Sequence, residues 1–135
     1  MKPRPSNVVR FEQLMYLALG IGIILTFLQW NYIVDVFVND FGYENPVVPF
    51  LGALVSPAAF VLLIWQAARR RKNWARWALS ILIAFELSAF FRWTEISKYL
   101  TPFGQGLMIG QNLVLAIALF LIFTGNARVW FKESA

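Results

Sequence analysis

The sequence predicts an all-α integral membrane protein, a bundle of four transmembrane helices forming a single domain over residues 1–135, with both termini cytoplasmic. Three observations predict it. Of the 135 residues 59% are hydrophobic and 14% are charged, with a mean hydropathy of +0.61; a soluble domain carries roughly 25% charged residues, so this chain lacks the polar surface to dissolve in water. Four apolar stretches, at about 12–34, 46–68, 77–100 and 103–124, are separated by polar or charged turns. Ten of the twelve cations fall in the segments that four crossings place on one side, as the positive-inside rule requires of the cytoplasmic side.

The chain opens with Lys2, Arg4 and Arg10 around two prolines, and Ser6 is an expected N-cap for a helix starting near Asn7. From Gln13 to Val34 there are 22 residues without a charge, enough at about 1.5 Å each to cross a hydrocarbon core of about 30 Å. The apolar region of a cleaved signal peptide is shorter, about 7–15 residues. This run ends in Trp30-Asn31-Tyr32, an interfacial anchor, and is read as an uncleaved span. Asp35 to Glu44 holds three carboxylates and no cation and is expected outside.

Asn45 to Ala68 is a second uncharged run, entered through Pro46 and Pro49. Pro57 within it should kink the helix and free the carbonyl of Ala53. The basic loop that follows places Arg69, Arg70, Arg71, Lys72 and Arg76 in eight positions, flanked by Trp65, Trp74 and Trp77. A loop this short and this basic stays on the cytoplasmic side and is expected to touch anionic lipid headgroups. The third span carries Glu86 in its core and continues into Arg92, Glu95 and Lys98, spaced to pair along one helical face. Thr101 is the expected N-cap of the fourth helix, with Pro102 at its first position. That helix closes at Gly125-Asn126, and Ala127 to Lys132 is read as a basic-aromatic tail.

Composition also narrows the chemistry. The absence of Cys and His removes disulfides, thiol catalysis, imidazole acid–base work and the commonest metal sites. No metal and no cofactor is expected. The net charge of +5 comes from loop cations, for which membrane lipids, and not nucleic acid, are the expected partner.

The segments Arg4-Pro5-Ser6-Asn7-Val8-Val9-Arg10-Phe11-Glu12, Asn73-Trp74-Ala75-Arg76-Trp77 and Ala127-Arg128-Val129-Trp130-Phe131 resemble a group of small, uncharacterised four-helix proteins of bacterial inner membranes. The resemblance runs the length of the chain through these short flanking motifs. It implies a bacterial inner-membrane protein of this architecture and carries over no activity, cofactor or catalytic residue.

Glu86 is the candidate site residue. It lies nine residues past Trp77, about 13 Å into the bilayer at helical rise, where a charged side chain costs about 2.5–3.5 kcal/mol on insertion scales. Gln111 and Asn112 on the fourth helix lie at a similar depth and complete a candidate intramembrane polar site. Glu86 is expected either to bond to such an amide and hold helices together or to work as a proton- or cation-coupling group. The small-residue spacings Ala18-x-x-x-Gly22, Gly52-x-x-x-Ser56 and Gly106-x-x-x-Gly110 are expected to pack the bundle internally. No set of nucleophile, base and metal ligands shares a depth, so an enzyme is not expected. The leading expectation is a structural or accessory subunit of the inner membrane that acts through partners or lipid contacts, as a homo-oligomer or in a larger membrane complex. The alternative is a small oligomeric ion- or proton-coupled transporter or channel that uses Glu86.

Overall fold

The computed structural model describes residues 3–45 and 47–132. Of these, 87% are helical and none is in a strand. Lys2 and Pro46, to which a charge and a helix entry were assigned above, lie outside the described residues. Four segments are long and apolar enough to cross a membrane, Ser6–Leu28, Val47–Ala68, Asn73–Tyr99 and Pro102–Phe123. The chain is an all-helical multi-pass membrane protein.

Helix α1 (Ser6–Leu28) starts earlier than the uncharged run, its first two turns placing Val8 and Phe11 inward along with the Glu12 carboxylate. Pro5 stands at its N-cap, and its carbonyl accepts from the N–H groups of Val8 and Val9. Ser6 is therefore the first helical residue and not the cap expected of it. Its hydroxyl accepts instead from Asn126 Nδ2 at 3.2 Å. The helix breaks at Gln29, and α2 (Trp30–Asn39) carries the chain into the acidic segment, past Asp35 but short of Asp40 and Glu44. An apolar run cannot reveal such a break, since it lies in the backbone. The Thr26 hydroxyl returning to the Gly22 carbonyl at 2.8 Å competes with the helical ladder just before it.

Helix α3 (Val47–Ala68) continues through Pro57. With no N–H on Pro57, the Ala53 carbonyl lacks its helical donor. The turn to α4 (Asn73–Ser88) is closed by the Lys72 N–H reaching the Gln66 carbonyl, with Arg71 in the left-handed region at φ 55. Glycine is the usual occupant of that position. Beyond Ser88 the third span tightens into a 3-10 turn, Ala89–Arg92, a single α turn, α5 (Trp93–Ile96), and a second 3-10 turn, Ser97–Tyr99. Helix α6 (Pro102–Phe123) is capped as expected, Thr101 Oγ1 accepting from the Gly104 N–H at 3.2 Å with Pro102 at the helix start. The expected tail is a helix of its own, α7 (Gly125–Lys132), that packs on the bundle.

Around the bundle the order is α1, α6, α4, α3, with the longest contact between α1 and α6. Large apolar side chains such as Phe27, Leu54, Phe85, Phe91 and Phe103 stand on the outside, where a bilayer and not water solvates them. The inward stripes follow helical spacing: Val8, Phe11, Met15 and Ala18 on α1; Ala75, Leu79 and Ile83 on α4; Leu115, Ala118 and Ile122 on α6. These stripes, with Ile64, Ala67 and Ala68 of α3 and Ala127, Trp130 and Phe131 of α7, form one continuous core. It fills the half of the molecule that bears the basic loop and the two chain ends, the basic half. In the other half, which bears Asp35, Asp40, Glu44 and Glu95, the second core cluster has only Leu25, Ile96, Leu100 and Met108 as its buried members.

Of the small-residue spacings, one packs helix on helix. A Cβ on Gly22 would stand 2.7 Å from Gln111 Nε2, so this glycine leaves room on α1 for the Gln111 side chain of α6. At Gly52, Gly106 and Gly110 an added Cβ meets nothing. Those positions face open space, contrary to the internal packing expected of them.

Candidate functional site

The core stops where the stripes turn polar. On α4 the stripe of Ala75, Leu79 and Ile83 continues to Glu86; on α6 the stripe of Leu115 continues to Gln111; on α1 the stripe of Ala18, Gly22 and Leu25 continues to Gln29. Each is about one helical turn beyond an apolar neighbour and so lies on the same side of the bundle as that neighbour. Two cavities, of about 190 Å³ and 440 Å³, meet there and share Leu25, Gln29, Glu86, Gln111 and Leu115. The smaller reaches Ala53, Ser56 and Pro57 of α3, so the proline and the carbonyl it frees lie at a cavity wall and not in a packed face. The larger runs past Asn112 and Ser88 to Tyr32 and Arg92 in the acidic half.

Glu86, Gln111 and Asn112 thus line one space, but the amides bond to backbone carbonyls and not to the carboxyl. Gln111 Nε2 donates to the Ala18 carbonyl at 3.2 Å, across the α1–α6 contact. Asn112 Nδ2 donates to the Met108 carbonyl of its own helix at 2.7 Å. The Glu86 carboxyl, 13 residues or about 20 Å along α4 from Asn73, has no hydrogen-bond or ion-pair partner among the described residues. It is exposed to the groove rather than wrapped by a neighbouring helix. Arg92, the cation at the far end of the larger cavity, is already engaged: its Nε donates to Glu95 at 2.9 Å and its Nη2 lies 3.5 Å from Asp40. Tyr99 donates to Asp35 at 3.2 Å and packs against Tyr32, closing the acidic rim.

The basic half is built on different terms. Glu12, 5% exposed, is the buried charged residue of the core, and both Arg4 and Arg69 donate to it, the Arg69 contact being 2.7 Å. The Glu12 hydrogen bond raises the Arg69 guanidinium above its ordinary pKa. One carboxylate therefore ties the N-terminal segment to the basic loop. The same layer ties in α7. Arg71 Nη2 donates to the Trp130 carbonyl at 2.8 Å and the guanidinium stacks 4.1 Å from the Trp130 ring. Asn7 donates to the Thr124 carbonyl and to Asn126 Oδ1, and Gly125, at φ +55, sits so close that a Cβ would be 2.7 Å from Asn7 Nδ2.

Of the five cations assigned to lipid contact, four are thus partly occupied by the protein. Arg69 holds Glu12, Arg71 holds Trp130, and Arg76 lies between the rings of Phe123, Phe131 and Trp77 at 4.7, 4.9 and 5.6 Å. Its Nε has no acceptor among the described residues, and the ring faces stand in for one. Arg70 stacks on Trp65 at 4.5 Å, and Lys72 is exposed. The three flanking motifs, far apart in the chain, meet in this layer: Arg4, Ser6, Asn7 and Glu12 from the first, Arg76 and Trp77 from the second, Trp130 and Phe131 from the third.

Neither a family model, nor a curated protein, nor a solved structure matches this chain. Sequence reasoning passed over Glu12 and Gln29. The first had a signal, for it is the one carboxylate in the first 34 residues and lies among cations. The second had one too: it falls one turn after Leu25 on the inward stripe.

Proposed function

We propose that this chain is a bacterial inner-membrane protein with its basic half at the cytoplasmic face and both termini inside, and that it works by holding a solute or ion at the Glu86 cavity. On this reading it belongs to the transporter or channel class, passing its cargo between copies in an oligomer and performing no covalent chemistry. One observation carries the reading. Glu86 lines an intramembrane cavity with no partner in the protein, while both amides that could have bonded to it donate to backbone carbonyls. An unpaired carboxyl at such a depth costs about 2.5–3.5 kcal/mol, and groups that persist at that cost are functional by default. Orientation rests on the ten-to-two distribution of cations.

The second reading, a structural or accessory subunit, is favoured by the layer in which three chain segments converge around Glu12, Arg71 and Arg76. On that reading this surface, with anionic lipids, is what partners meet. Flux into liposomes under an imposed pH gradient separates the two: the first expects a flux that Glu86→Gln abolishes in a normally folded protein, and the second expects none in the wild type. Reporter fusions settle orientation, since alkaline phosphatase should be active after residue 40 and inactive after residue 132.

A further inference from the structure

The shape and charge of the cavity narrow its ligand, and this step rests on the reading of Glu86 as the working site. We propose that the cavity binds a monovalent organic cation with an apolar body, its charge held by the Glu86 carboxylate and its body by the walls of the larger chamber.

Four features support that class. Glu86 is the formally charged group facing the space without a partner, whereas the one cation there, Arg92, is neutralised by Glu95 and Asp40. The formal charge of the chamber is therefore that of one carboxylate. The walls are largely apolar, with Leu25, Ile96, Met108 and Leu115 beside Phe85 and the Tyr32 ring, which suits an organic body and not a hydrated metal ion. A metal ion would need several oxygen ligands at fixed distances, and among the described residues no three carboxylates come together to supply them. Finally, the half of the chain that bears the larger cavity is acidic: Asp35, Asp40, Glu44 and Glu95 stand against Arg92 and Lys98, and four carboxylates to two cations raise the local concentration of cations.

The size agrees as well. A chamber of about 440 Å³ lies within the range of about 300–1,000 Å³ typical of sites for drug-sized molecules. An inorganic ion or a proton would leave most of it empty. The polar groups Gln29, Ser88 and Asn112 lie beyond the carboxylate and give the ligand positions to hydrogen-bond as well as a charge to meet.

The test is a charge series on the purified protein in detergent micelles, by equilibrium dialysis against empty micelles. The probes are tetraphenylphosphonium, the neutral triphenylphosphine oxide and the anion tetraphenylborate, which share an aromatic body and differ in charge. The wild type should retain the cation roughly tenfold or more tightly than either other probe, because a charge-assisted contact is lost in both. Glu86→Gln, with unchanged helicity and elution volume, should lose that preference, and Glu86→Asp should keep it. Equal retention of cation and neutral probe, with Glu86→Gln unaffected, overturns the cation assignment while leaving a ligand-binding cavity. Retention of none of the three above the micelle blank overturns both. The series on the wild type decides the matter even where a variant does not fold.

Discussion

The two halves of this bundle are made from the same helices yet are finished differently. In the basic half the inward stripes are apolar and meet in one core, sealed at its end by the Glu12 ion pairs, the Arg71–Trp130 contact and α7. In the acidic half the same stripes present Gln29, Glu86 and Gln111, the third span breaks into short 3-10 and α turns, and cavities take the place of the core. The lesson is that one substitution class per helix, apolar to polar on the inward stripe, converts a packed bundle into a chambered one. The basic half then serves as the rigid base and floor of the chamber.

If the halves differ in this way, the largest loss should follow from damage to the base. Ile83→Ala removes a fully buried side chain and should cost about 2–5 kcal/mol, read from denaturation in mild detergent. Ile81→Ala, two residues away on the exposed face, should cost under about 0.5 kcal/mol. Equal effects would show that α4 has no inward side. Next comes the ion-pair seal. Glu12→Leu leaves Arg4 and Arg69 without their acceptor and should cost about 1–3 kcal/mol, at the lower end because both arginines are partly exposed and can turn to water. Glu86→Leu, the same change in the chambered half, should leave stability unchanged or raised. A reversal of that order would end the distinction between the halves.

How much of this was legible in the sequence depends on which half is considered. Four spans could be read because a bilayer demands apolar length, and the Thr101 cap because a hydroxyl before Pro has a local geometry. Glu86 could be read because a lone carboxyl stands out in an apolar run. The chamber was not legible as a chamber: Gln111 sends its hydrogen bond to Ala18 only because α1 and α6 meet there, across a sequence separation of 93 residues, and Glu86 is left without that amide. The break at Gln29 is a backbone event hidden in uniform hydropathy. The layer joining the three flanking motifs was hidden in a similar way. Cations read as solvated and lipid-facing are held by Glu12 and by aromatic rings contributed from the far end of the chain.

Smaller effects sharpen the same contrast. Gly125→Ala combines a left-handed backbone with a contact against Asn7 and should destabilise by about 1–2 kcal/mol, loosening α7 in limited proteolysis before the bundle unfolds. Arg71→Gly should change stability by under about 1 kcal/mol. Glycine relieves the left-handed strain at φ 55 while giving up the Trp130 contacts, and the two terms oppose.

The central claim, a sealed basic half beneath a chambered acidic half, is open to one direct measurement. The chain contains no cysteine, so single cysteines can be placed without background and their reaction with a membrane-impermeant methanethiosulfonate timed in intact cells. That reagent reacts with the thiolate, which forms only where water reaches. Cysteine at Gln29, Ser88 and Asn112 should react, and cysteine at Leu79, Ile83 and Ala118 should not. Reaction at Ile83 as fast as at Asn112 would contradict the account.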